Sequence, residues 1–304
     1  MTRINGHEID IDNRDKALFP GEAITKGDVI DYYREIAEYI LPHIEGRPLT
    51  LQRFPDGLDE DGFYQQQVPE HFPDWIDTRS LPRADGSERI DHILCNDTAS
   101  LVYLANLATI TIHRWLARAP RFTRPDCLIF DLDPAGEDFT PVRDAARQVV
   151  ELMQTLEVMP FVMTTGSRGL HVIAPLAPEL DFDAVREIAT GMAGHLAARH
   201  PETLTTEQRK DKRRGRLYLD VMRNAYGQTG VAPYSLRAHP GAPVATPLSI
   251  DELDRGDLGP QDYHIGNIFR RLGQTGDPWA DIRRHAVDPR GLRDRLEALR
   301  KDDG

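Results

Sequence analysis

Cysteine is nearly absent from this sequence: 304 residues contain two, Cys95 and Cys127, in separate apolar runs with no CxxC or Cys/His cluster. That excludes a disulfide framework and a zinc module, and it predicts two buried thiols. Long apolar runs are missing too. Nothing approaches the roughly eighteen uninterrupted apolar residues of a membrane span, and the polar start 1–13 has no signal-type apolar stretch, so a cytoplasmic protein without a membrane partner is expected. Positive charge is in deficit, since 37 Lys and Arg against 49 Asp and Glu leave a net charge of −12. Such a balance works against a polyanionic ligand, because phosphate binding relies on Lys and Arg displacing condensed counterions. Distribution matters more than the sum. The run RKDKRRGR at 209–216, with Lys16, Lys26, Arg53, Arg114, Arg118, Arg121 and Arg124, leaves two readings open. One is an acidic body with basic patches, the other an ordinary solvated loop.

What is present suits an enzyme-sized globular protein, with 40% hydrophobic residues and length enough for one large core or two packed ones. Thr25 followed three residues later by Asp28 is a capping signature, and Val29, Tyr33, Ile36, Ile40 and Ile44 recur at helical spacing, which predicts a helix over 25–44 lying on a sheet. A second helix is predicted over 140–156, with Thr140 as cap and Pro141 in the first turn, and a third over 183–199. Strand-like runs fall at 49–54, 89–95, 109–116, 127–133, 160–164, 170–175 and 216–222. Extended surface chain is expected after Pro233, then short helices near Asp251 and over 261–272, and a charged helical tail from Pro289. Mixed helices and strands make the class α/β (α+β), and no repeat or linker divides the chain.

The chemistry concentrates in a few places. In the strand ending CLIFDLDP, alternation puts Cys127, Ile129, Asp131 and Asp133 on one face, so an apolar face turns acidic at its end. Two carboxylates that close raise each other's pKa unless a cation lies between them, and oxygen ligands suit Mg²⁺ or Mn²⁺; a pair of turn aspartates before Pro134 is the alternative. Asp220, inside the apolar run RLYLDVM, needs a partner for its charge. A third strand carboxylate after an Asp-x-Asp strand is what a two-metal site requires. The loop TTGSRGLH at 164–171 joins two apolar runs through two glycines, a hydroxyl and a cation. Backbone amides approach phosphate only where side chains are absent, so the loop is either an anion cradle or a plain hairpin turn. His113 shares a strand face with Thr109 and Thr111, and Arg237 follows an apolar segment from which it could grip a triphosphate bidentately.

Taken together, FDLDP at 130–134, TTGSRGLHV at 164–172 and LDVMRNAYGQTGVAPYSLRAHPGAPVATPL at 219–248 resemble the polymerase domain of bacterial DNA ligase D, within the archaeo-eukaryotic primase superfamily. DKALFP at 15–20, ITKGDVIDYY at 24–33 and GRPLTLQRFPDG at 46–57 extend the resemblance, in collinear order, over nearly the whole chain. It implies a single domain over 1–304, with an N-terminal α/β unit at about 1–120 packed on a catalytic core at about 121–304 whose sheet is similar to an RNA-recognition fold. It implies metal ligation and catalysis by Asp131, Asp133 and Asp220, and nucleotide contacts at His113, Ser167, Arg168, Gly169, His171 and Arg237. It implies 5′-phosphate contacts at Lys16 and Lys26 and DNA or template contacts at Arg53, Phe63 and Tyr64. The activity implied is metal-dependent nucleotide addition from NTP or dNTP, often preferring ribonucleotides, at DNA breaks and gaps in non-homologous end joining, with Ku and a separate ligase as partners and a nucleoid-associated cytoplasmic location.

Two positions depart from the family's habit: Arg168 stands where Lys is common, and Gln65-Gln66-Gln67 lacks a lysine often found there. No ligase motif or nuclease module occurs in the sequence, so the chain is expected to act alone or with separate subunits. Three other functions use similar residues. A de novo primase would often carry the zinc module that two isolated cysteines cannot form. A phosphohydrolase or nuclease would turn the same carboxylates on water, and a non-catalytic end-binding scaffold would have no need of three carboxylates together.

Overall fold

In the computed structural model, which describes residues 1–302, Thr25 starts a helix with a full capping box: Thr25 Oγ1 accepts the Asp28 N–H at 3.2 Å, and the Asp28 carboxylate accepts the Thr25 N–H at 2.7 Å. The helix predicted over 25–44 is two helices, Lys26–Glu35 and Ala37–Ile44. Between them Ile36 has ψ −1°, far from the helical value, yet its N–H still reaches Tyr32 O at 2.9 Å. The apolar period runs through this bend without interruption, so nothing local signals it.

By contact density the chain divides into two units. The first comprises Met1–Pro120, Thr229–Thr246 and Tyr263–Gly276; the second comprises Arg121–Gln228, Pro247–Asp262 and the chain from Asp277 onward.

The first unit holds a four-stranded antiparallel sheet in the order Thr229–Val231, Thr109–Trp115, Leu49–Arg53, Phe63–Gln65. Leu49, Leu51, Ile110 and Ile112 form its apolar side and share a core with Val29, Ile30, Tyr33 and Ile40 and with Leu101, Val102 and Leu104 of the helix Thr98–Asn106. The sequence pattern did not show that helix, which is nine residues long and capped by Asp97 through the Ser100 N–H at 2.7 Å. Adjacent tyrosines of the first helix bind the returning segment. Tyr32 donates to Tyr234 O at 2.7 Å, while Tyr33 donates to Ile110 O at 2.6 Å and accepts the Leu236 N–H at 3.2 Å.

The second unit holds a sheet in the order Cys127–Leu132, Leu170–Pro175, Phe161–Thr164, Thr246–Leu248, the last being where the chain enters this unit. The helices Thr140–Thr155, Phe182–Arg199 and Pro289–Asp302 belong to it. Its first helix is not capped by Thr140: the Asp138 carboxylate takes the Thr140 N–H at 2.9 Å. The run 216–222 is not one strand either. Leu217–Tyr218 pairs in parallel with Leu204–Thr205, and the Asp220 carboxylate then accepts the Met222 N–H at 2.8 Å, turning the chain into the short 3-10 helix Met222–Asn224. The helix expected over 261–272 begins later, as Ile268–Thr275, because His264 is held in a bridge to Pro243. Both cysteines are buried, and among the described residues no helix is long and apolar enough to cross a membrane.

The tyrosine tether yields the first testable expectation. Tyr33→Phe removes the donor to Ile110 O and the acceptor for Leu236 N–H in a fully buried place, which should cost about 1–3 kcal/mol of unfolding free energy. Chemical denaturation measures it, and an unchanged midpoint would mean that the tether carries no stability.

Candidate active site

Asp131 is the centre of the charged end of the second unit. Its strand is at the edge of the sheet, and in register it faces His171 on the neighbouring strand. The other edge of the strand is met by the segment 220–224. The Asp131 N–H donates to Asp220 O at 2.9 Å, and Asn224, wholly buried, accepts the Ile129 N–H at 2.9 Å and donates to Ile129 O at 2.8 Å and Val221 O at 2.7 Å. One asparagine amide thereby stands in for a strand partner and brings Asp220 beside Asp131.

Both oxygens of the Asp131 carboxylate are engaged. Arg223 Nε donates to one at 3.1 Å, and His171 Nε2 lies 3.4 Å from the other. Burial pushes this carboxyl up, but His171 and then Arg223 outweigh it and hold it well below the usual carboxylate range. Asp133 and Asp220 behave oppositely. Asp133 is exposed at the strand's end, yet partial desolvation first and the Asp131 charge second raise its carboxyl. Desolvation again leads in raising Asp220, with Asp131 adding to it and the Met222 N–H opposing it. Burial works against the Arg223 charge, but Asp131, Asp220 and Asp133 together raise its pKa, so one guanidinium is the common counter-ion of all three carboxylates.

Oxygen donors carrying excess negative charge fit a hard divalent cation in donor type and in charge. As placed, they do not enclose one: among the described residues no group of three or more His, Cys, Asp and Glu side chains is arranged to hold a metal ion. Asp131 carries Arg223 instead. The buried His171 Nδ1, by contrast, has no hydrogen-bond partner.

The loop at 165–169 closes an antiparallel hairpin in which Thr164 faces Leu170. Thr165 organises it: its N–H donates to Gly169 O at 2.9 Å, and its hydroxyl donates to the same oxygen at 3.1 Å while accepting the Gly169 N–H at 3.2 Å. Gly166 has φ +64°, Arg168 is exposed, and Gln261 donates to Ser167 O at 2.8 Å from outside. Gly169 is required by space, since a Cβ there would lie 2.3 Å from Leu132 O and 2.6 Å from Asp133 Oδ1. Loop and carboxylates are therefore in direct contact.

The remaining site candidates belong to the first unit. His113 and Tyr64 lie with ring centroids 6.0 Å apart, and both Tyr64 and Phe63 are exposed. Arg53 lies over the Phe63 ring at 5.2 Å while donating to Leu107 O at 2.8 Å and Gln65 Oε1 at 2.6 Å, so Gln65 holds the arginine in place. Arg237 is half-buried, and its backbone N–H donates to Pro243 O at 2.8 Å. Lys16 pairs with Asp56 at 2.8 Å, and Lys26, buried, pairs with Asp12.

The amides that open the first helix are not free to join these lysines around an anion: the Lys26 N–H donates to Lys16 O and the Gly27 N–H to Arg14 O, each at 2.8 Å, and the Asp28 N–H is capped by Thr25. The helix start is closed by the chain itself. The basic run 209–216 is likewise a tied loop: Arg213 stacks 4.3 Å from the Tyr218 ring and donates to Gln208 O at 2.7 Å, while Lys210, Lys212 and Arg214 point outward.

Sequence reasoning missed Arg223, Asn224, Thr165 and Gln261. Arg223 had a signal, standing three residues after a candidate metal aspartate; the others have none. The contact of Gly169 with the strand end is testable. Gly169→Ala forces a Cβ against a backbone carbonyl and should cost about 1–3 kcal/mol in stability, measured by denaturant titration. A variant as stable as the parent would show that loop and strand end can separate freely.

Comparisons with known proteins point to one family. A family model described as the LigD primase-polymerase domain matches residues 25–279. The multifunctional non-homologous end joining protein LigD of Mycolicibacterium smegmatis is 32% identical over 273 residues, covering 89% of this chain and 35% of that protein. The bifunctional LigD of Bacillus subtilis is 30% identical over 276 residues, covering 90% and 44%. The chain thus spans less than half the length of these relatives. Among solved structures, the polymerase domain from Mycobacterium tuberculosis Ligase D in complex with DNA superposes with a TM-score of 0.86 at 29% identity, covering 92% of this chain and 99% of that one. On these matches the chain, a mixed α/β protein, belongs to the LigD primase-polymerase domain family.

Proposed function

We propose that the protein is a metal-dependent nucleotidyltransferase that extends DNA 3′ ends at breaks and gaps during end-joining repair. The observation that supports it most is the bridge from Asp131 to Asp220 beside the Thr165–Gly169 turn, which gathers three carboxylates against a glycine loop. In the reaction a primer 3′-oxygen forms a bond to the α-phosphorus of a nucleoside triphosphate, and the bond to pyrophosphate breaks. Bound Mg²⁺ or Mn²⁺ would make the attacking hydroxyl more acidic and offset the charge of the phosphates. Asp131, Asp133 and Asp220 would hold that cation.

The chain's own part is binding and positioning. Thr165 and Gln261 fix the loop so that Ser167, Arg168 and the Gly169 backbone can meet phosphate oxygens, with His171 at the start of the next strand. His113 and Arg237 are assigned to the nucleotide as well, and Arg53, Phe63 and Tyr64 to the template, the exposed rings offering stacking faces. A preference for ribonucleotides, partnership with Ku and a ligase, and a cytoplasmic, nucleoid-associated location complete the reading. They rest on the resemblance; the names of the relatives give end joining itself.

Primer extension on a gap carrying a downstream 5′-phosphate, with each nucleotide type and each metal, tests the activity. The parent should release pyrophosphate and lengthen the primer, whereas Asp131→Asn, Asp133→Asn and Asp220→Asn should fall to background while remaining folded. Extension by an Asp131/Asp133 double variant, or shortening of the strand, would overturn the assignment. His171→Ala should also raise the nucleotide KM about tenfold, equivalent to one lost charge-assisted hydrogen bond.

The lysines carry a separate prediction. With the helix amides occupied, a 5′-phosphate would be met by side chains, and Lys16 and Lys26 must each exchange a carboxylate, Asp56 or Asp12, for it. The parent should bind a phosphorylated gap about tenfold more tightly than an unphosphorylated one, roughly 1.4 kcal/mol. A Lys16→Gln/Lys26→Gln variant should lose that preference and show a shallower salt dependence. Equal binding of both gaps by the parent would assign the lysines to the fold alone.

A further inference from the structure

The two partners in the Arg223–Asp131 pair differ in freedom. The Asp131 side chain is 9% exposed and fixed by its strand, whereas the Arg223 side chain is 44% exposed and follows a turn. The carboxylate cannot leave, but the guanidinium can. Arg223 Nε donates to Asp131 Oδ2 at 3.1 Å, and His171 Nε2 lies 3.4 Å from the other oxygen. A divalent cation held by this carboxylate would face the guanidinium at close range, and two cations at one carboxylate repel each other.

We infer that Arg223 is a resident counter-ion that competes with the divalent cation for Asp131 and yields the carboxylate when the cation binds. The inference rests on the metal reading above and adds to it a residue acting against metal binding in the free protein. The exchange keeps Asp131 matched by positive charge at all times. Without Arg223, a buried carboxylate would keep only the more distant His171 contact, at 3.4 Å, and burying a charge whose partner has been removed is destabilising.

Two effects of opposite sign follow from removing the guanidinium. The metal-free protein loses a partner for a buried charge and becomes less stable. The metal, meanwhile, no longer has to displace anything and binds more tightly. An arginine that only supported the fold would lower stability without tightening metal binding. One that helped to hold the metal site in shape would weaken it.

The experiment uses the whole chain, without nucleotide or DNA, and Mn²⁺ as the probe. Binding is followed by calorimetry or by the resonance of free Mn²⁺, and thermal melting is recorded with and without the ion. Arg223→Gln should bind Mn²⁺ about tenfold more tightly than the parent, melt about 2–5 °C lower without metal, and gain more from saturating Mn²⁺ than the parent does. Arg223→Lys, which keeps the charge but loses the Nε donor, should fall between them and serves if the glutamine variant does not fold. Arg168→Gln removes the same charge near Asp133 without touching Asp131, and should change Mn²⁺ affinity by less than about threefold.

Unchanged or weaker Mn²⁺ binding by Arg223→Gln, with binding lost in Asp131→Asn, would overturn the competition and leave the metal reading standing. Equal tightening in Arg168→Gln would also overturn it, since the effect would then be one of general charge. A parent that binds no Mn²⁺ would overturn both readings.

Discussion

The strand Cys127–Leu132 lies at the edge of its sheet, and the backbone groups on an open edge must be paired or exposed. Asn224 pairs both polar groups of Ile129 with a single side-chain amide, and the Asp131 N–H is taken by Asp220 O. This stitch brings two stretches of chain more than ninety residues apart into one charged cluster. Asp220 reaches Asp131 because of it, and so does Arg223. Loosening the stitch would expose an edge and scatter the carboxylates together.

Charge then decides the state of the cluster. The cations favour the buried carboxylate: His171 and Arg223 hold Asp131 well below the usual carboxylate range, while desolvation and the Asp131 charge raise Asp133 and Asp220. An additional cation would relieve the two raised carboxyls and would compete with the guanidinium already on Asp131. The hairpin loop beside them is set by contact as well as by charge, since Gly169 fits against Leu132 O only because it has no side chain.

In the first unit, too, several polar side chains are matched within the fold. Tyr32 and Tyr33 use their hydroxyls on the backbone of the returning segment, Arg53 uses its guanidinium on Leu107 O and Gln65, and Lys16 and Lys26 lie against carboxylates. The N–H groups that open the first helix are taken by Lys16 O, Arg14 O and Thr25. Recognition of an anion by these lysines would therefore be an exchange of partners, and exchange is more sensitive to salt and to the charge of the ligand than capture by a preformed pocket.

Much of this was legible in the sequence. The capping pair Thr25 and Asp28, the alternation in CLIFDLD that ends on Asp131 and Asp133, and the glycine loop leading to His171 depend on residues a few positions apart, and such relations survive in a linear string. What tertiary structure alone decided is how distant groups pair. The closing of the first helix's amides by Arg14 and Lys16, the seating of Asp220 beside Asp131 and the hold of Arg223 on Asp131 each join residues that no local period relates. A side chain's type states which partners it can accept, whereas the partner it receives depends on which backbone edge or buried charge the fold brings within about 3 Å of it.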